Sequence, residues 1–314
     1  MKKLLSLLLV ILIIMATFTG CSAKTNKEPV SLDGKKIMFI GNSFTHYGNV
    51  VIKKDQTIQS QEERSNDQGY FYQICKKNGA EVSVTNWCYG GHDLSSLFEV
   101  CKANRGCDGV IHKDDIVDKN FDYVVMQQGS LANNSTDFLE KCELVMNFFR
   151  EANPDVKFVF LVHEQAHTKG AVWIPQVKEL EKKGVTIVDW GKLVYDLING
   201  NVKVPNATQE YNKNSFIVCK SKEDGYHPNI LTGYITALMT YCAITGESAV
   251  GQDYSFCNDS SIHPYFNFLR FRSTYYTYKK ATTNFAEIFD SQSDMEGIQK
   301  LIDKYLAKKT YLKY

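Results

Sequence analysis

The chain has 314 residues, of which 44% are hydrophobic and 12% aromatic, so it can bury a full hydrophobic core and is not expected to be disordered. Its 36 Lys and Arg residues nearly balance its 35 Asp and Glu residues, for a net charge of +1. A protein that binds a nucleic-acid backbone needs clustered positive charge. The charge balance therefore argues against nucleic acid as a partner.

The amino terminus has the pattern of an export signal. Two lysines precede an apolar run from Leu4 to Met15 that contains one polar residue, Ser6, and is shorter than the roughly 20 residues that cross a bilayer. This length favours a cleaved signal over a retained membrane helix. Cys21, which follows small residues, resembles the lipidated cysteine of bacterial lipoproteins. The resemblance implies a signal peptide over residues 1–20 and a lipidated Cys21 with a tether over 21–34, so that the protein is anchored by lipid outside the cytoplasm, on the bacterial cell membrane. Residues 35–314 are predicted to form a single domain with a C-terminal helical extension.

The remaining eight of the nine cysteines permit up to four disulfides in an exported protein, and the sequence does not decide how they pair. Cys101 and Cys107 form the one local pair that we favour. Buried free thiols are the alternative, because cysteine is among the most buried residue types. No cysteine or histidine spacing of the zinc-ligand type supports a structural metal site.

Short apolar segments alternate with helical ones along the rest of the chain. Strands are predicted at residues 36–40, 81–85, 122–126, 157–162 and 185–188, and helices at 71–77, 136–152, 174–183, 191–198, 231–244 and 295–306. The alternation predicts an α/β fold, a doubly wound three-layer αβα sandwich with a mostly parallel five-stranded, flavodoxin-like sheet. Polar stretches at 53–69, 104–119 and 199–221 are predicted as surface loops, the last of them covering the site.

Ligands of open α/β sheets bind beyond the carboxyl ends of the strands, so the residues that follow each strand are candidates for function. Gly41 lets the chain turn sharply after the first strand, and Ser43 is then presented as a nucleophile or, alternatively, as a helix cap. Gly90 and Gly91 follow the second strand, where they allow a backbone amide to reach a developing oxyanion or simply form a tight turn.

Two further segments complete the candidate set. Gln127 and Gln128 follow the third strand, and a side-chain amide there can donate to an oxyanion or satisfy loop backbone. Asp224 and His227 precede the helix at 231–244, and their spacing in a turn suits a carboxylate that orients a general base. Pro228 is expected to stiffen this turn and start the helix.

The blocks IGNSFT (40–45), the glycine pair, the amide after the third strand and DGYHP (224–228) resemble, in this order, the SGNH/GDSL hydrolase superfamily. YGGHDL and VVMQQGS are similar to a branch of bacterial exported proteins known as a domain of unknown function. The resemblance covers residues 36–246. It implies the SGNH hydrolase fold and a mechanism that needs no cofactor.

Carried onto this chain, the resemblance implies that Ser43 is the nucleophile, His227 the base and then the acid, and Asp224 the orienting carboxylate. The amides of Ser43 and of Gly91 or Gly90 would form the oxyanion hole together with a glutamine side chain. The asparagine usual in the third block is absent here, so Gln127 or Gln128 must replace it. Similarity to the related branch favours Gln127.

The implied activity is an esterase that removes O-acetyl or short acyl groups from an acylated small molecule or glycan. One alternative is a surface glycan-binding lipoprotein with a degenerate site. Another is a zinc hydrolase, because His163, Glu164 and His167 fit the pattern HExxH. That motif needs the middle of a helix, whereas here it directly follows an apolar strand, where a loop is expected. We therefore assign no metal, and expect the two histidines to line the cleft instead.

Overall fold

The computed structural model describes residues 28–51, 69–94, 116–129, 133–219, 225–259 and 285–313. Five parallel strands form one sheet in the order β2-β1-β3-β4-β5. They are β1 (Lys36–Gly41), β2 (Ser83–Cys88), β3 (Tyr123–Gln127), β4 (Lys157–Leu161) and β5 (Thr186–Val188). This is the flavodoxin-like, doubly wound order. The predicted fold class is confirmed, with a sheet that is entirely parallel rather than mostly so.

Successive strand residues point to opposite faces of the sheet, so the strands contribute to two separate cores. Phe39 and Val125 belong to one core, and Met38 and Met126 belong to the other. The helices that pack on the first face are α2 (Tyr70–Lys77), α6 (Trp190–Ile198), α8 (Ile230–Thr245), α9 (Phe285–Asp290) and α10 (Gln292–Lys308). Those on the second face are α3 (Phe138–Arg150) and α5 (Val177–Lys182). The result is the predicted three-layer arrangement.

Two short helices follow strands at the carboxyl edge of the sheet, α1 (Ser43–His46) after β1 and α4 (Glu164–Thr168) after β4. Helix α4 corrects the expectation of a loop at the HEQAH segment. A helix forms because His163 caps it, with its side chain accepting a hydrogen bond from the backbone N–H of Ala166. Only the second histidine of the motif lies inside this five-residue helix. The motif is thus not presented from the middle of a helix.

Helix α8 is buried almost all round, as an apolar helix in the centre of a layer must be. It begins at Asn229, whose side chain accepts from the backbone N–H groups of Leu231 and Thr232. The predicted start at Pro228 is therefore wrong, because Pro228 ends a strand. Near its start, the backbone of Gly233 packs directly against Gly48, in the turn after α1. This contact packs the turn that follows α1 against the central helix, α8.

The segment DGYHP was expected to form a turn, but residues 225–228 are a strand, β7 (Gly225–Pro228). It pairs in antiparallel fashion with β6 (Ile217–Cys219), in the predicted loop 199–221. That stretch also contains helix α7 (Lys213–Phe216). The prediction of an irregular loop was wrong. Strand β6 has only three residues and lies within polar sequence, so no longer apolar run marks it as a strand.

The segment that precedes β6 is hydrogen-bonded to the carboxyl-terminal helix, α10. The buried carboxylate of Asp294 accepts hydrogen bonds from the backbone N–H of Thr208 at 3.0 Å and from the Tyr211 hydroxyl at 2.8 Å. These bonds, together with the Ser291 hydroxyl, hold the pKa of Asp294 below its ordinary value although burial acts to raise it. The carboxylate therefore stays ionised and anchors the segment.

Element boundaries differ from the predicted ones by a few residues elsewhere. Strand β2 starts at Ser83 and runs to Cys88, where it pairs with Gly41. The predicted helix at 174–183 is a 3-10 turn (Ile174–Gln176) that continues into α5. Further 3-10 turns are found at Ser255–Asn258 and Thr310–Lys313.

Several sequence predictions concern residues outside the described ranges, among them the signal peptide, the lipid on Cys21 and the pair Cys101 and Cys107. Buried cysteine side chains that carry a thiol rather than a disulfide are found, within the described ranges, at Cys75, Cys88, Cys142, Cys242 and Cys257. Burial raises the pKa of the Cys75 thiol. Among the residues described here, no helix is long and apolar enough to cross a membrane.

Replacing Gly233 with alanine is expected to destabilise the fold strongly, because the added Cβ would overlap the carbonyl group of Gly48. We expect a loss of about 3 kcal/mol or more in the free energy of unfolding, measured by urea denaturation. Ala243→Gly, at the partly exposed face of the same helix, serves as the control and should cost about 1 kcal/mol. Equal losses in the two variants would contradict close packing at Gly233.

Candidate active site

Ser43 is the first residue of α1, directly beyond the carboxyl end of β1. Asn42 caps this helix, its side-chain oxygen accepting from the backbone N–H of Phe44 at 3.1 Å. The turn is tight, since a Cβ on Gly41 would lie 2.5 Å from the Thr45 hydroxyl oxygen. Asn42 therefore supplies the cap, and Ser43 is left with 9% of its surface exposed.

His227 lies against α1 and contacts the rings of Phe44, in this helix, and of Tyr47, which directly follows it. The Tyr47 ring stacks on the His227 imidazole with centroids 4.2 Å apart and an interplanar angle of 18°. The Phe44 ring lies 5.8 Å from the same imidazole at 37°. Because Phe44 and Tyr47 are three residues apart, they share one face of the helical turn. The structure thus brings the element that begins with Ser43 into contact with His227.

Asp224 lies outside the described residues, so its pairing with His227 stays a prediction. His227 itself is in β7, where it is paired with Val218 of β6, and only 7% of its surface is exposed. Its ring orientation is thus constrained both by a strand and by the aromatic contacts with α1.

The glycine pair after β2 lies beside α1. The backbone N–H of Tyr89 donates to the carbonyl of Gly41 at 3.1 Å, which ties this turn to the end of β1. A Cβ on Gly90 would lie 3.9 Å from Nε2 of His46, whereas one on Gly91 would meet no atom within 4 Å. Gly91 has a φ of +78°, a conformation that favours glycine. Gly91 therefore borders open space, and Gly90 borders α1.

The two glutamines at the end of β3, Gln127 within the strand and Gln128 directly after it, make different hydrogen bonds. The Gln127 side-chain oxygen accepts from the Thr45 hydroxyl at 2.8 Å, and its Nε2 has no hydrogen-bond partner among the described residues. The Gln128 side-chain oxygen accepts from the backbone N–H groups of Leu94 and Gly129 at 2.9 and 3.0 Å. Gln128 thus holds the turn, while Gln127 contacts α1 and keeps its Nε2 donor available within the described part of the chain.

The HEQAH segment reaches the same edge of the sheet, where several of its polar atoms are hydrogen-bonded to neighbouring groups of the protein. His163 accepts from the backbone N–H of Ala166 through Nδ1 at 3.1 Å, and His167 is paired through Nε2 with Asp189 at 2.7 Å. The Glu164 carboxylate accepts from the side chains of Gln165 and Thr168. Within the described part of the chain, no three potential metal-ligating side chains of His, Cys, Asp or Glu are grouped.

His163 belongs to the site in a different way. It is completely buried, and its ring stacks on Phe44 with centroids 4.7 Å apart and planes 8° from parallel. Burial lowers the pKa of His163 to about 3, so the imidazole is neutral at ordinary pH. Sequence analysis missed the ring contacts of Phe44 and Tyr47. Phe44 and Tyr47 follow Ser43 and are three residues apart. This spacing was the signal that could have suggested that both rings lie on one face of a helical turn.

No protein-family model matches the chain, and no curated protein matches it either. Among solved structures, a DUF4886 family protein from Bacteroides uniformis is 13% identical with a TM-score of 0.47, over 87% of this chain and 95% of that one. A variant of an acetyl-xylooligosaccharide esterase from Geobacillus is 16% identical with a TM-score of 0.43, over 68% and 96% of the two chains. A family two carbohydrate esterase from Clostridium thermocellum, in complex with cellohexaose, is 17% identical with a TM-score of 0.39, over 69% and 64%. These likenesses are distant, and the chemistry of the site therefore rests on the residues of this chain.

Thr45→Val is expected to lower the free energy of unfolding by about 1–3 kcal/mol. The substitution removes the hydroxyl that donates to the buried Gln127 oxygen while keeping the shape of the side chain. Urea denaturation of Thr45→Val, Gln127→Leu and the double variant measures the coupling between the two residues. We expect the double variant to lose less than the sum of the single losses. Purely additive losses would contradict the bond.

Proposed function

We propose that the protein is an extracytoplasmic serine esterase that removes O-acetyl or short acyl groups from a carbohydrate through Ser43, His227 and Asp224. The observation that carries this proposal is the contact between α1 and His227. Ser43 begins the helical turn whose Phe44 and Tyr47 rings contact the imidazole. A nucleophile and a base held by one rigid contact are what acyl transfer through a serine requires.

The proposed reaction proceeds in two stages. In the first, the Ser43 hydroxyl oxygen attacks the acyl carbonyl, His227 takes the hydroxyl proton, and the proton passes to the departing alcohol as the ester bond breaks. In the second, water attacks the acyl-serine while His227 takes a proton from it. That proton returns to the Ser43 oxygen as the acid leaves. Asp224 keeps the imidazole in the required tautomer.

Negative charge develops on the carbonyl oxygen in both stages, and backbone amides of Ser43 and of Gly91 or Gly90 are proposed to stabilise it. We favour Gln127 as the third donor. Its oxygen is fixed by Thr45, so its Nε2 is oriented before substrate binds, and that atom has no partner in the described part of the chain. Loss of one such donor costs about 10² to 10³ in rate in other hydrolases.

The substrate class and the location are proposed from the superfamily resemblance and from the predicted export signal. A lipid on Cys21 would hold the enzyme at the cell surface, where acylated glycans are accessible. The acyl transfer described here uses only side chains and backbone amides of the protein. The open space beside Gly91 at the sheet edge is compatible with a cleft that admits a sugar ester.

Ser43→Ala is expected to lower the rate of p-nitrophenyl acetate hydrolysis at least 10³-fold, because the nucleophile is lost. The free energy of unfolding should change little, since a hydroxyl at the cleft wall fills no core volume. Ser31→Ala, at an exposed serine, is the matched control and should keep full activity. Activity should also persist after treatment with a chelator.

Two results would overturn this proposal. Activity that survives in Ser43→Ala and is lost with chelator would favour the zinc hydrolase at His163 and His167. Absence of hydrolysis by the folded wild-type protein, on nitrophenyl esters and on acetylated oligosaccharides alike, would favour a glycan-binding protein without catalysis.

A further inference from the structure

The ring of Phe44 is supported from two sides. One neighbour is His227, and the other is His163, whose plane is only 8° from parallel to that of Phe44 at a centroid distance of 4.7 Å. Phe44 is adjacent to Ser43 in the chain. A displacement of its ring therefore moves the backbone that carries the nucleophile. It also changes the surface against which His227 packs.

Helix α1 has only four residues and cannot hold its own position through internal hydrogen bonds. Its orientation must come from contacts with neighbouring elements. The stack on His163 is such a contact, and it joins α1 to the carboxyl end of β4, two strands away in the sheet.

His163 is itself firmly held. The backbone N–H of Gly191 donates to the carbonyl of Val162 at 2.9 Å, and a Cβ on Gly191 would overlap the His163 carbonyl. Its Nδ1 accepts from the N–H of Ala166, and its Nε2 has no hydrogen-bond partner among the described residues. An Nδ1 that accepts places the proton of the neutral ring on Nε2. The imidazole of His163 is thus uncharged, and one face of its ring stacks on Phe44.

We infer that His163 is a positioning residue, whose ring face fixes Phe44 and thereby the geometry between Ser43 and His227. This inference rests on the proposed function and assigns to the HEQAH segment a role in orienting the nucleophile. The role depends on the flat ring and not on metal binding. A displacement of reacting groups by about 1 Å can cost about 10²-fold in rate, so a lost stack is expected to appear in kcat.

The test compares His163→Leu, which removes the flat ring, with His163→Phe, which keeps it. In the full-length protein we expect kcat for p-nitrophenyl acetate to fall about 10-fold or more in His163→Leu, with KM changed less than about 2-fold. His163→Phe should keep kcat within about 3-fold of wild type. His163→Met replaces His163→Leu if the latter does not fold, since its unbranched, flexible side chain adapts to the same space without a flat ring.

Phe138→Leu is the matched control for a general loss of packing. Phe138 is as buried as His163 and also contacts the Trp173 ring, but it belongs to the second core, whereas Phe44 belongs to the first. This variant should lower Tm as His163→Leu does and leave kcat unchanged. A measurement of Tm alone would not distinguish His163→Leu from Phe138→Leu, whereas a measurement of kcat does.

Equal falls of kcat in His163→Leu and Phe138→Leu would overturn the inference, as would a His163→Phe variant as slow as His163→Leu. Failure of the proposed function has a different signature. In that case wild-type hydrolysis is absent or survives in Ser43→Ala, whatever the residue at position 163. A further check uses Phe44→Leu as background, in which His163→Leu should have little additional effect on kcat.

Discussion

The arrangement of the site depends on the place where the sheet reverses its strand order. The chain runs from β1 outward to β2 and then returns to the other side of β1 to form β3. The helices that follow β1 and β3 diverge at this point, which leaves a crevice at the carboxyl edge. The hydrogen bond from Thr45 to Gln127 joins α1, which follows β1, to the end of β3 there. It sets the position of α1, and through Phe44 and Tyr47 that of His227.

Much of the sheet could be predicted from the sequence because its strands are short apolar runs between polar turns. The run before Gly41 and the run before Gln127 are buried on both faces, so they stand out by composition alone. Once parallel strands are predicted, the carboxyl-edge rule places the residues after β1, β2 and β3 together. Ser43, Gly90 and Gln127 all follow from that reasoning.

Other features depend on contacts that sequence patterns do not carry. Strand β6 has three residues and gains its register only from pairing with β7, so the surrounding sequence resembles a loop. Helix α4 exists because of a histidine cap and not because of apolar periodicity. The difference between Gln127 and Gln128 is a matter of which face each side chain takes, and a one-residue change in strand register would exchange them. The stack of His163 on Phe44 joins residues 119 positions apart.

The central claim is that Ser43 is a nucleophile activated by His227, and covalent labelling tests it most directly. A fluorophosphonate reacts with such a serine by losing fluoride as the oxygen–phosphorus bond forms, and peptide mass analysis then identifies the labelled residue. The account predicts a single phosphonylated peptide containing Ser43, with labelling at least 10²-fold slower in His227→Gln. Ester hydrolysis by a protein that is labelled elsewhere, or whose Ser43 is labelled equally fast without His227, would contradict it.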